Sequence, residues 1–85
     1  MNNYRAFEVT FFGATDTKGS RIRIKDLRHN ETKWLDRDYS CNGGEQALRY
    51  LASIGIEVIG RADYLDFSYI YFTEDYSISV KGGAL

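Results

Sequence analysis

One cysteine and one histidine, Cys41 and His29, bound the covalent and acid–base chemistry open to this 85-residue chain. A thiol nucleophile needs a lowered pKa and a base within hydrogen-bond reach. Cys41 is the thiol to consider, since it is expected beside a helix N-terminus. His29 falls in a predicted turn about a dozen residues earlier, and nothing in the spacing brings the two together. Asp36, Arg37 and Asp38 with His29 raise a metal-assisted nuclease, but these acids flank a connector and lack ligand spacing. The loop Gly13-Ala14-Thr15-Asp16-Thr17-Lys18-Gly19-Ser20 holds Gly, Lys and Ser. A phosphate-binding P-loop runs Gly-Lys-Ser/Thr straight into a helix; here Lys18 precedes Gly19 and a strand follows. Catalysis needs converging groups, and these are scattered. The chain therefore reads as a non-enzyme, with no catalytic residue, no cofactor and no metal ligand expected.

Binding chemistry is better represented. Arg21, Ile22, Arg23, Ile24 and Lys25 alternate strictly. In a strand, both isoleucines then face one side and the three cations the other. Alternate residues lie ~7 Å apart, close to the phosphate spacing of an extended nucleic-acid strand. Lys18, Arg28 and Lys33 widen the patch. Such a face suits an acidic protein partner or a phosphate backbone. It equally suits water, with Glu8 or Glu31 as cross-strand counter-charges. Tyrosines form a second candidate. Tyr69 and Tyr71 share a strand side with Phe67, and Tyr64 precedes them. That side reads as core, as a protein interface or as a base-stacking platform. The opposite side carries Ser68, Ile70 and Phe72, so both sides are largely apolar and periodicity leaves the choice open.

Bulk charge excludes little, because the net charge is only −1. Its distribution is uneven. Residues 18–37 carry seven basic side chains against three acidic ones, and residues 57–85 carry five acids against two bases. The two halves can pair with one another, and an acidic final third opposes a nucleic-acid groove. Seven tyrosines and five phenylalanines exceed what one small core can hold, which places several tyrosines at the surface. A lone cysteine cannot close an internal disulfide. The first residues lack the apolar run of a signal peptide, and no segment has membrane-spanning length. The expected location is the cytoplasm, without membrane association.

The elements that must position these residues read as follows. Residues 5–12 form a first strand, with Phe7, Val9 and Phe11 on one side. Residues 20–28 form the second, His29-Asn30 the turn, and 31–36 the third, giving an antiparallel meander. Asn42 caps one helix, with Glu45 three residues on. Ala47, Leu48, Leu51 and Ile54 are its apolar stripe, and Gly55 its left-handed terminus. Strands at 56–61, 67–73 and 76–80 follow, and 81–85 read as a frayed tail. Residues 1–85 make a single α+β domain: a mostly antiparallel sheet of about six strands with one helix on one face, βββ-α-βββ. One short helix covers about half of a six-strand face, so sheet curvature, loops or another subunit is expected to cover the rest.

Lys18-Gly19-Ser20-Arg21 feeding the alternating strand, with Glu45-Gln46-Ala47 and the Gly55-Ile56 helix exit, resembles small proteins of bacterial phages and mobile elements. The likeness spans roughly residues 13–60. It implies an accessory role, binding and blocking a host or element protein, and carries over no catalytic residue. The Gly82-Gly83 pair is similar to the processed end of ubiquitin-like precursors, but the order of elements differs from that fold. The leading expectation is a protein-interaction module, homodimeric, contacting its partner through Tyr64, Tyr69 and Tyr71 or through Arg21, Arg23 and Lys25. The alternative is single-stranded nucleic-acid binding through the same cations and tyrosines.

Overall fold

The computed structural model describes residues 3–14 and 19–84. Strict alternation builds its first half. β1 (Arg5–Phe12), β2 (Arg21–Asp26) and β3 (Glu31–Asp36) pair as an antiparallel meander. β2 stops at Asp26 because residues 27–30 form the turn, where Asn30 takes a φ of 54° that asparagine tolerates.

Local chemistry closes α1 (Gly43–Ser53) at both ends. The Asn42 side chain accepts the Glu45 backbone N–H at 2.8 Å. The reciprocal bond of a full capping box is replaced, because the Glu45 carboxylate accepts from Arg49 at 2.7 Å. Beyond the helix, Gly55 has a φ of 93°. Its N–H donates to the Ala52 carbonyl at 3.0 Å, and that of Ile56 to the Leu51 carbonyl at 2.9 Å. This is the paired-bond Schellman stop, with Ile56 and Leu51 buried together.

β4 (Gly60–Asp63) and β5 (Ser68–Thr73) complete one five-stranded sheet in the order β3-β2-β1-β5-β4, antiparallel throughout. The chain is α+β, and its element order is βββ-α-ββ. Three expectations are corrected here. Residues 76–80 make no strand: the Asp75 carboxylate accepts the Ser77 N–H and hydroxyl at 2.8 and 2.6 Å. Gly82 and Gly83, both at positive φ, then fold the chain back until Ser79 N–H meets the Gly83 carbonyl at 2.8 Å. What survives is an isolated bridge between Ile78 and Ala84. Residues 81–84 are thus tied down rather than frayed. The strand expected at 56–61 starts instead at Gly60, because the helix stop consumes the Ile56 N–H.

All of the core lies on one side of the sheet. Phe7, Val9, Ile22, Ile24 and Tyr71 meet Ala47 and Leu51 of α1, with Ile56 and Val80 filling in from loops. The same layer holds two charges. Arg5 and Asp26 are both fully buried, and Arg5 Nη2 donates to Asp26 Oδ2 at 2.6 Å. The other carboxylate oxygen accepts the backbone N–H groups of Arg28 and His29 at 2.9 and 3.2 Å. His29 Nδ1 stands 2.8 Å from Oδ2. Burial alone would raise the Asp26 pKa; the hydrogen bonds from Arg5, from the His29 ring and from two backbone amides outweigh it and hold the carboxyl below its ordinary value.

Candidate partner-binding face

The second face of the sheet is different. Among the described residues, no helix or strand lies over it. Antiparallel registers place cross-strand partners on the same side, so its composition follows from the pairing. One row runs Asp36, Arg21, Phe12; the next Trp34, Arg23, Thr10, Ser68; the third Thr32, Lys25, Glu8, Ile70. The three expected cations do share one face, outward, with Ile22 and Ile24 buried beneath them.

They are not a bare strip of positive charge. The Arg21 guanidinium carbon lies 4.7 Å from the centre of the Trp34 ring and 5.9 Å from that of Phe12. Arg23 stacks on Phe12 at 5.3 Å and donates to Glu8 Oε1 at 2.8 Å. Phe12 and Trp34 rings are 5.3 Å apart. The Nε atoms of Arg21 and Arg23 are shielded from water and meet no acceptor among the described residues. Stacking fixes these long side chains and strips part of their hydration before any partner arrives. Trp34 itself is 44% exposed. It was not among the expected contact residues, although it sits opposite Leu35 in an alternating strand, and that alternation was the available signal.

The tyrosines go elsewhere. Tyr71 pairs with Phe7 on the helix side, is 0% exposed and donates its hydroxyl to the Gly44 carbonyl at 3.1 Å. It is a core residue, and burial pushes its phenol pKa up. Tyr69 is half-buried on that same side, edge-on to Phe11 and beneath Arg61. The single-strand alternative joins the tyrosines to Arg21, Arg23 and Lys25 on one surface; Tyr69 and Tyr71 lie on the opposite side of the sheet from those cations. Tyr64 alone of the three is exposed, in the turn joining β4 to β5.

That turn forms a second unusual surface. Tyr64, Leu65 and Phe67 are all exposed, flanked by Asp63 and Asp66. Asp63 pairs with Tyr69, and Tyr64 N–H reaches the Ser68 carbonyl at 3.4 Å, leaving a three-residue loop. Its last residue, Phe67, has a φ of 64°. Three-residue hairpin loops of this kind normally place Gly there, because a side chain is strained at positive φ.

The remaining chemistry-bearing residues do not converge. His29 and Asp36 flank opposite ends of β3, roughly 20 Å apart along a six-residue strand. The Asp38 carboxylate is occupied by the Ser40 hydroxyl and N–H at 2.7 and 2.9 Å, which lowers its pKa. Cys41 Sγ lies 3.9 Å from the Asp38 carbonyl oxygen. Of the patch-widening cations, Arg28 stacks on Tyr76 and Lys33 on Tyr50, which lies on the helix side; Lys18 falls outside the described residues. No helix among the described residues is long and apolar enough to cross a membrane. No family model, no curated protein and no solved structure matches the chain.

Proposed function

We propose that the chain is a protein-interaction module whose contact surface is the uncovered sheet face centred on Trp34, Arg21, Phe12 and Arg23. The observation that carries this reading is the stacked arginine–aromatic cluster on a face that no helix or strand covers among the described residues. Trp and Arg are the residue types that dominate protein–protein hot spots, and pre-stacked side chains lose less freedom on binding. Glu8 and Asp36 interleave with the cations, which favours a protein over a phosphate backbone. A nucleic-acid groove also loses Tyr69 and Tyr71, which stand on the far side of the sheet. The likeness to phage and mobile-element proteins points the same way, toward an accessory that binds another protein.

The test places a photo-crosslinking residue at Thr32 on the open face and, separately, at Leu48 on the exposed helix surface. Discrete protein adducts from Thr32 and none from Leu48 are expected, with no shift of a labelled oligonucleotide at low salt. An oligonucleotide shift that weakens steeply with salt and vanishes in R21A/R23A would replace this reading with single-strand binding.

A further inference from the structure

The β4–β5 tip and the open face are complementary in kind. The tip offers Leu65, 64% exposed between Asp63 and Asp66, and Phe67, 77% exposed directly after Asp66. The face offers Trp34 and Phe12 among Arg21, Arg23 and Lys25. Apolar groups flanked by two acids thus meet an aromatic surface on which the cations Arg21, Arg23 and Lys25 outnumber the acids Glu8 and Asp36, a complementary pairing of charge. The two patches are also neighbours. Phe11 N–H donates to the Phe67 carbonyl at 2.9 Å, and Phe12 pairs with Arg21, so tip and cluster lie at the same end of the sheet. β5 stands two strand spacings, about 10 Å, from β2. Adjacent complementary patches let two molecules related by a two-fold axis exchange contacts, each tip meeting the other face.

The backbone adds an independent argument. A phenylalanine at positive φ is strained, and such strain clusters at functional sites. Here nothing in the fold needs the Phe67 ring, since it is mostly in solvent. Glycine would suit the turn better.

We infer that this chain forms a reciprocal two-fold dimer in which the Leu65–Phe67 tip of each copy docks on the Trp34–Arg21–Phe12 cluster of the other. This rests on the open face being a protein-contact surface, and specifies a second copy as its occupant. Asp63 and Asp66 then approach the partner copy's cations, so association weakens as salt rises.

Light scattering across a micromolar dilution series tests it with three proteins. Wild type is expected to move from 9.8 kDa toward twice that mass with concentration. Phe67→Gly is expected to stay monomeric while its thermal midpoint is unchanged or higher, because strain is relieved; Leu65→Ser checks the same loss without altering φ. Trp34→Ala is expected to stay monomeric too. Mixing F67G with W34A restores one of the two contacts, so the mixture is expected to associate, more weakly than wild type. A wild type that remains monomeric throughout overturns the dimer. So does F67G associating as wild type does, or a mixture that stays monomeric. If dimerisation fails while Thr32 still crosslinks to a foreign protein, the contact face stands and only its occupant was wrong.

Discussion

Arg5 and Arg23 lie on adjacent strands, and each holds one carboxylate, yet they belong to different physical worlds. Arg5 points into the core and meets Asp26 with no solvent on either side chain; Arg23 points outward and meets Glu8 with both partly wet. Inside, the charges had to be stripped of water, and the arrangement survives because nearly every polar atom finds a partner. The Arg5 fork reaches Asp26 and the Asp75 carbonyl, and Asp26 also grips two amides of the β2–β3 turn. Outside, the pair costs little to form and gives little back. The inner pair anchors the fold; the outer one shapes a surface.

The sharpest way to break that contrast is to remove one inner partner. Asp26→Ala strands a buried guanidinium and is expected to cost about 3–5 kcal/mol, against a total near ~5 kcal/mol for so small a domain. Chemical denaturation should find it largely unfolded. Replacing both residues together, Arg5→Met with Asp26→Leu, should recover most of the loss, since well-packed apolar pairs often match a buried ion pair. If the double replacement is as damaged as the single one, the turn amides held by Asp26 matter more than the charge pair.

Acid probes the same contact without mutation. The folded-state pKa of Asp26 is lowered from 3.8. Its contribution is therefore present above the unfolded-state pKa and lost as pH falls through the folded value. Wild type should lose stability below pH ~4 more steeply than the apolar double replacement does, as read from urea midpoints at stepped pH. Parallel slopes would mean that other carboxylates dominate the acid transition.

The smallest effect belongs outside. Glu8→Ala should change stability by no more than about 1 kcal/mol, shrinking further with added salt. A larger, salt-independent loss would show that the outer pair is as structural as the inner one.

The two faces were not equally legible. Where a strand alternates, as β2 does, the side chains declared their sides in advance. Arg5 and Asp26 were legible too, though unread: they continue the inward series Arg5-Phe7-Val9 and Ile22-Ile24-Asp26, and two charges at inward positions on paired strands imply a bond. The helix ends were readable because caps depend on a few adjacent residues. β5 was not, since both its sides are largely apolar and only its register against β1 decides that Tyr71 is core. The absent sixth strand turned on Asp75 capturing Ser77, a local bond that outcompetes alternation. Phe67 left no trace at all, because nothing in its identity predicts positive φ.

β1 occupies the middle of the sheet, yet its two neighbours reach it on very different schedules. β2 arrives after one loop, while Thr10 and Ser68, hydroxyl to hydroxyl at 3.0 Å, are 58 residues apart. A ribosome therefore releases the meander and the helix long before β5 exists. Until then one side of β1 offers an open row of amides and carbonyls to any stray strand. Synthesis is thus an hour at which this sheet stands open along its middle.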